Sequence, residues 1–192
     1  TNGETKMSAN LNVVDGKVAM AYVSSEGIPW HGLGTKMDKP MTTEEALIAG
    51  GLDYALTKEP IQTPDGIPAP DHRMVVRQDT KQCLGIVRDR YEIVDNKSAF
   101  NFFDAIVEKD EAIIHTVGAL GKGEKIWIAA KLPNDIVVKD KDIINNYLLL
   151  TTTHDGSSNI KAKFTPVRVV CQNTLTMAGS GGYEVKIRHS RN

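Results

Sequence analysis

The sequence predicts an α+β fold, an antiparallel sheet of hairpins with a few helices packed on one face. Three observations predict it. Short runs rich in Val, Ile, Leu and Thr recur along the chain, punctuated by turns containing Gly, Asp or Asn. One stretch, 96–109, carries a clear helical repeat and reads as a central helix. Strand-like segments follow one another in pairs instead of alternating regularly with helices, which disfavours a doubly wound arrangement.

Residues 1–28 read as an N-terminal arm with one short strand, Gly16–Val23, and 29–192 as a single domain that continues beyond the end of this sequence. Thr42 or Thr43 caps a short helix with acids in its first turn, stopped by Gly50 and Gly51. Tyr54–Lys58 reads as a strand. With Pro60, Pro64, Pro68 and Pro70, residues 60–71 read as a loop too rich in proline for regular pairing. Met74–Arg77 and Cys83–Val87 have hairpin spacing, and Tyr91–Val94 reads as a third strand. Asn96 is placed to cap the central helix, whose apolar face is Ala99, Phe102, Phe103, Ile106 and Val107. Ile113–Leu120 and Lys125–Leu132 flank Gly121-Lys122-Gly123 as a second hairpin. Ile136–Val138, Tyr147–Thr153, Ile160–Phe164 and Tyr183–Arg188 complete the strands, with a helix at Val167–Ala178.

The net charge of −1 conceals a gradient. Residues 1–70 balance at −4, 71–160 at −2 and 161–192 at +5. A basic C-terminal segment favours an anionic partner. No apolar run approaches the ~20 residues that a bilayer-crossing helix needs, so no membrane partner is expected and a cytoplasmic location is. Cys83 and Cys171, far apart and outside any CxxC spacing, read as free buried thiols.

No complete catalytic motif is present. GALGKGEK at 118–125 lacks the Gly-Lys-Ser/Thr ending of a phosphate loop and lies between strands, so it reads as a turn whose Lys122 and Lys125 add charge. Cys171 and His154 are the one nucleophile–base pair worth weighing, but Val169, Val170 and Leu175 argue for a buried thiol. His154-Asp155-Gly156 reads chiefly as a turn, with a metal-dependent hydrolytic site as the alternative. No cofactor is expected. Lys161 and Lys163, two apart in a strand, share a face, as do Arg73 and Arg77, four apart. Arg168 offers a planar fork suited to phosphate, and Asn173 lies on the same expected helix.

The runs HDGSS and PVRVVCQNTL, with PWHGLGT at 29–35, LGIVRDRYEIVDNKSAFNFFDAIV at 84–107 and GALGKGEKIWIAAKL at 118–132, are similar to a phage/plasmid-like family of bacterial proteins filed as a domain of unknown function. The resemblance implies a mobile-element origin and a longer parent protein. The order of elements is loosely similar to the core of single-strand annealing proteins.

These readings converge on a non-enzymatic protein that binds single-stranded nucleic acid in recombination or annealing and assembles as a ring or filament. Arg73, Arg77, Lys122, Lys125, Lys161, Lys163, Arg168 and Asn173 would line its groove, with Tyr91 or Trp127 for stacking. A self-assembling or host-interaction protein is the rival of a different class, and a hydrolase centred on His154 and Asp155 the third.

Overall fold

The computed structural model describes residues 9–107, 112–134, 136–138, 142–180 and 184–187. Two short strands, β1 (Val13–Val14) and β2 (Lys17–Val18), form a hairpin. Then come β3 (Met20–Val23), a 3-10 turn, β4 (Thr35–Met37) and helix α1 (Thr43–Ala49). Strands β5 (Leu56–Gln62), β6 (Pro68–Arg77) and β7 (Gln82–Arg88) precede helix α2 (Asn96–Val107). Next are β8 (Ile113–Leu120), β9 (Lys125–Lys131), β10 (Ile136–Val138), β11 (Asp142–Ile144), β12 (Tyr147–Thr153) and β13 (Ile160–Thr165). Helix α3 (Gln172–Gly179) and strand β14 (Glu184–Ile187) close the described chain.

The fold is mostly β, which corrects the α+β expectation. Strands make up 44% and helices 16% of the chain. Stretches expected to be loop or helix are extended. The sheet is also mixed: seven strands run in the order β14-β13-β12-β9-β8-β3-β4, with β3 and β4 parallel. Strand β3 is wholly buried, so the expected arm supplies an inner strand. A second sheet, β5-β6-β7, contains much of the supposed proline loop. Its prolines are compatible with pairing: Pro60 lies on an edge strand, and Pro68 and Pro70 lie beyond the part of β6 that pairs with β7. Tyr91 makes only an isolated bridge, so the expected strand there is absent.

Helices cover both faces of the large sheet, where one face was expected. On one face, Ala46 and Leu47 of α1 and Ala99, Phe100 and Phe103 of α2 pack on Val117, Ile126, Ile128, Leu148 and Leu150. On the other, Leu175 and Ala178 of α3 cover Met20, Tyr22, Trp127 and Leu149. The period-2 alternation of β9 and β12 serves the two cores at once.

Local chemistry fixes the helix ends. Thr42 and Glu45 form a reciprocal capping box at α1. At α2 the cap is Asp95, whose carboxylate accepts from the Ser98 N–H at 2.6 Å. Asn96, expected in that role, points inward instead. Helix α3 begins five residues later than expected: 167–171 are bends and irregular backbone, and the β-branched residues there disfavour helix. The Thr174 hydroxyl accepts from the Val170 and Cys171 N–H groups and locks that start. The far end of the predicted final strand, from 188 on, lies outside the described residues.

Candidate functional site

In antiparallel pairs, residues directly opposite one another share a face. The registers Lys125↔Thr153, Thr151↔Lys161, Leu149↔Lys163 and Lys163↔Glu184 therefore place three lysines and one glutamate on the α3 side of the sheet. Helix α3 is too short to cover this end of the sheet. A cleft of about 190 Å³ is left, floored by Lys125, Leu149, Thr151, Thr153, Lys161 and Lys163. Gln172, Leu175, Thr176 and Gly179, at helical spacing, form its roof, and Ser158 and Glu184 its sides. Drug-sized sites start near ~300 Å³, so this one suits a compact group.

Charge in the cleft is positive: three ammonium groups face one carboxylate. Lys163 is buried, with 6% of its surface exposed, while Lys161 is about a third exposed. Glu184 accepts from Lys186 at 2.7 Å and lies 3.8 Å from Lys161. The Lys186 hydrogen bond, aided by the charges of Lys161, Lys186 and Lys163 and opposed by burial, holds the Glu184 carboxyl below its ordinary range.

The other predicted cations go elsewhere. Arg77 is 2% exposed. Its guanidinium grips Asp79 through Nε (2.7 Å) and Nη2 (2.9 Å), donates to Asn12 Oδ1 (2.9 Å) and to the Lys122 carbonyl (3.1 Å), and stacks 3.8 Å over the Tyr54 ring. It is a structural hub, and with Asp79 and Lys17 it borders a separate cavity, away from the lysines of β9 and β13. Arg73 pairs with Asp89 at 2.9 Å and donates to two carbonyls of its own strand. Arg168 donates to the Gly27 carbonyl at 3.0 Å, and beside it His31 bonds the Val170 carbonyl at 3.0 Å, so the fork ties down the 27–34 loop. Lys122 is exposed at the hairpin turn, and Asn173 is exposed on α3 outside the cleft lining. Trp127 is fully buried and Tyr91 half-buried, its hydroxyl on the Thr153 carbonyl at 2.9 Å; neither offers a free ring for stacking.

His154 is buried in the fold and Asp155 is held in a turn. The His154 ring is fully buried, 2.7 Å from Asn96 Oδ1. Because Asn96 Nδ2 donates to the Leu52 carbonyl at 2.8 Å, its Oδ1 accepts and His154 Nε2 carries the proton. Asp155 accepts from the Ser157 N–H at 2.9 Å, closing the turn. Among the described residues, no group of three His, Cys, Asp or Glu could hold a metal ion. Cys83 and Cys171 are free thiols, Cys171 buried and Cys83 half-buried.

Of the eight predicted residues, Lys125, Lys161 and Lys163 are brought together. Thr151, Thr153, Ser158, Gln172, Thr176 and Glu184 were missed. Alternation in YLLLTTT, which puts Leu149, Thr151 and Thr153 on one face, is the sequence signal that pointed to three of the floor residues.

A family model described as Domain of unknown function (DUF932) matches residues 83–192, more than half of the 192-residue chain. The chain belongs to this family. Every residue lining the cleft falls within the DUF932 segment, whereas Arg77, Asp79, Tyr54 and Asn12 of the buried hub precede it. No curated protein and no solved structure matches the chain. Among the described residues, no helix is long and apolar enough to cross a membrane.

Proposed function

We propose that this chain is a binding protein that takes phosphate groups in the cleft between α3 and the sheet, and that single-stranded nucleic acid is its ligand. The observation that carries the reading is the convergence of Lys125, Lys161 and Lys163 on one compact cleft. The +5 balance of 161–192 and the phage/plasmid resemblance support the same ligand class. None of the described residues lining the cleft is aromatic, which supports electrostatic recognition indifferent to base identity. The interface is also smaller than a groove. Three lysines give a salt slope of about −2 in log K against log salt on single strands, far below that of extended binders. Anisotropy of a labelled oligonucleotide between about 50 and 200 mM salt tests this. No binding at the low end removes the reading.

One observation favours self-association as a second reading. Strand β14 is the edge of the large sheet, and its exposed Val185 lies on the same face as exposed Phe164. An edge with unpaired backbone groups and an apolar flank is a template for a second copy. Mass measurement in solution checks it: Val185→Lys converts an oligomer to a monomer, and a wild-type monomer at high concentration contradicts the reading.

A further inference from the structure

Among the described residues lining the cleft, Glu184 is the one acidic side chain, and it faces the lysines that a ligand's anion would meet. The β13–β14 register sets it directly across from Lys163, and its two oxygens face Lys186 at 2.7 Å and Lys161 at 3.8 Å. Lys125, by contrast, has no ion pair among the described residues. The glutamate therefore acts as a resident carboxylate that an incoming anion has to displace from Lys161. We propose that the lysine cleft is selective for a phosphate monoester over a phosphodiester, with Glu184 as the resident anion that either ligand has to displace, so that the site reads the phosphorylated end of a strand. This rests on the reading that the cleft binds phosphate.

The selectivity follows from charge. A monoester carries about −1.5 to −2 at neutral pH, because its second ionisation lies near ~6. A diester carries a single charge, no more than the carboxylate it has to replace. Only the monoester gains charge on exchange, and at a half-exposed site one extra charge is worth roughly tenfold in affinity. The volume argues the same way. About 190 Å³ accommodates a terminal phosphate but leaves little room for a chain threading through on both sides. Displaced Glu184 has solvent to move into, since a quarter of its side chain is already exposed.

The test compares 5′-phosphorylated and 5′-hydroxyl forms of one oligonucleotide on wild type, Glu184→Gln and Lys161→Gln/Lys163→Gln, with inorganic phosphate as competitor. Wild type binds the phosphorylated form about tenfold more tightly. Glu184→Gln, which keeps shape and loses charge, binds both forms more tightly and keeps the preference for the phosphorylated one. A rise in both affinities supports the proposal. Competition by inorganic phosphate also supports it and assigns the specificity to the monoester itself, whereas competition only by a phosphorylated strand assigns it to the strand end. If wild type binds both forms equally, or Glu184→Gln leaves both affinities unchanged, while the lysine variant abolishes binding, the cleft stands and the proposal is overturned. If the lysine variant binds like wild type, or wild type binds neither form, both are overturned.

Discussion

Arg73 and Arg77 on β6 and Lys161 and Lys163 on β13 are alike in the sequence: two cations on one face of a strand. Their fates differ completely. Four N–H groups of Arg77 are taken up by Asp79, Asn12 and the Lys122 carbonyl, and its plane covers Tyr54. That leaves a planar, five-donor cation satisfied inside the protein. Lys161 and Lys163 open on a cleft with polar walls. Spacing decides which face a cation occupies. Its neighbours decide whether that charge is enclosed in a buried hub or borders a cleft.

The comparison breaks most visibly at Arg77. Arg77→Met strands Asp79 and empties the space over Tyr54, and the loss is about 3 kcal/mol, the low end for a broken buried pair because Asp79 is half exposed. Urea unfolding measures it, and phosphate affinity stays unchanged. Because the Arg77 hydrogen bond holds the Asp79 carboxyl below its ordinary 3.8, this contribution is complete above that pH and disappears as acid protonates Asp79 in the folded state. Gly85→Ala comes next. A Cβ there would stand 2.5 Å from Asp155 Cα, where the second sheet meets the 154–158 turn, and backbone cannot yield cheaply. A loss of about 2 kcal/mol in thermal or urea unfolding is expected.

Alkali separates the two regions further. Burial pushes the Tyr54 phenol from 10.0 up to about 12. Folding favours the protonated form, so its contribution is intact below pH 10.0 and is lost as pH rises towards 12. A stability profile over this window should fall for wild type and flatten for Tyr54→Phe, which also loses the 2.7 Å bond to the Gly123 carbonyl. Lys161→Ala has the smallest effect on stability, within about 0.5 kcal/mol. It weakens oligonucleotide binding nonetheless.

What the sequence made legible followed local rules. Helix α1 has its Thr42 cap, the β8–β9 hairpin turns at Gly121 and Gly123 with positive φ, and Lys161 and Lys163 share a face. Where tertiary context decides, the reading failed. Pro60, Pro68 and Pro70 look like loop residues until it is known that one lies on an edge and two lie past a neighbour's reach. Arg77 looks like a surface cation until the segment leading into β5 brings Tyr54 beneath it. Asn96 looks like a cap until His154 and Leu52 arrive from elsewhere in the chain. The cleft was half visible because its floor obeys strand alternation. Its roof and Glu184 depend on how α3 and β14 dock on the sheet, which no local pattern encodes.

The central claim is that the β13 lysines, and not the β6 arginines, meet the ligand. Binding of a 5′-phosphorylated oligonucleotide to Lys161→Gln/Lys163→Gln and to Arg73→Ala, with unfolding checked for both, tests it most directly. The account predicts at least about tenfold weaker binding for the lysine pair and wild-type affinity for Arg73→Ala. The reverse pattern would contradict it.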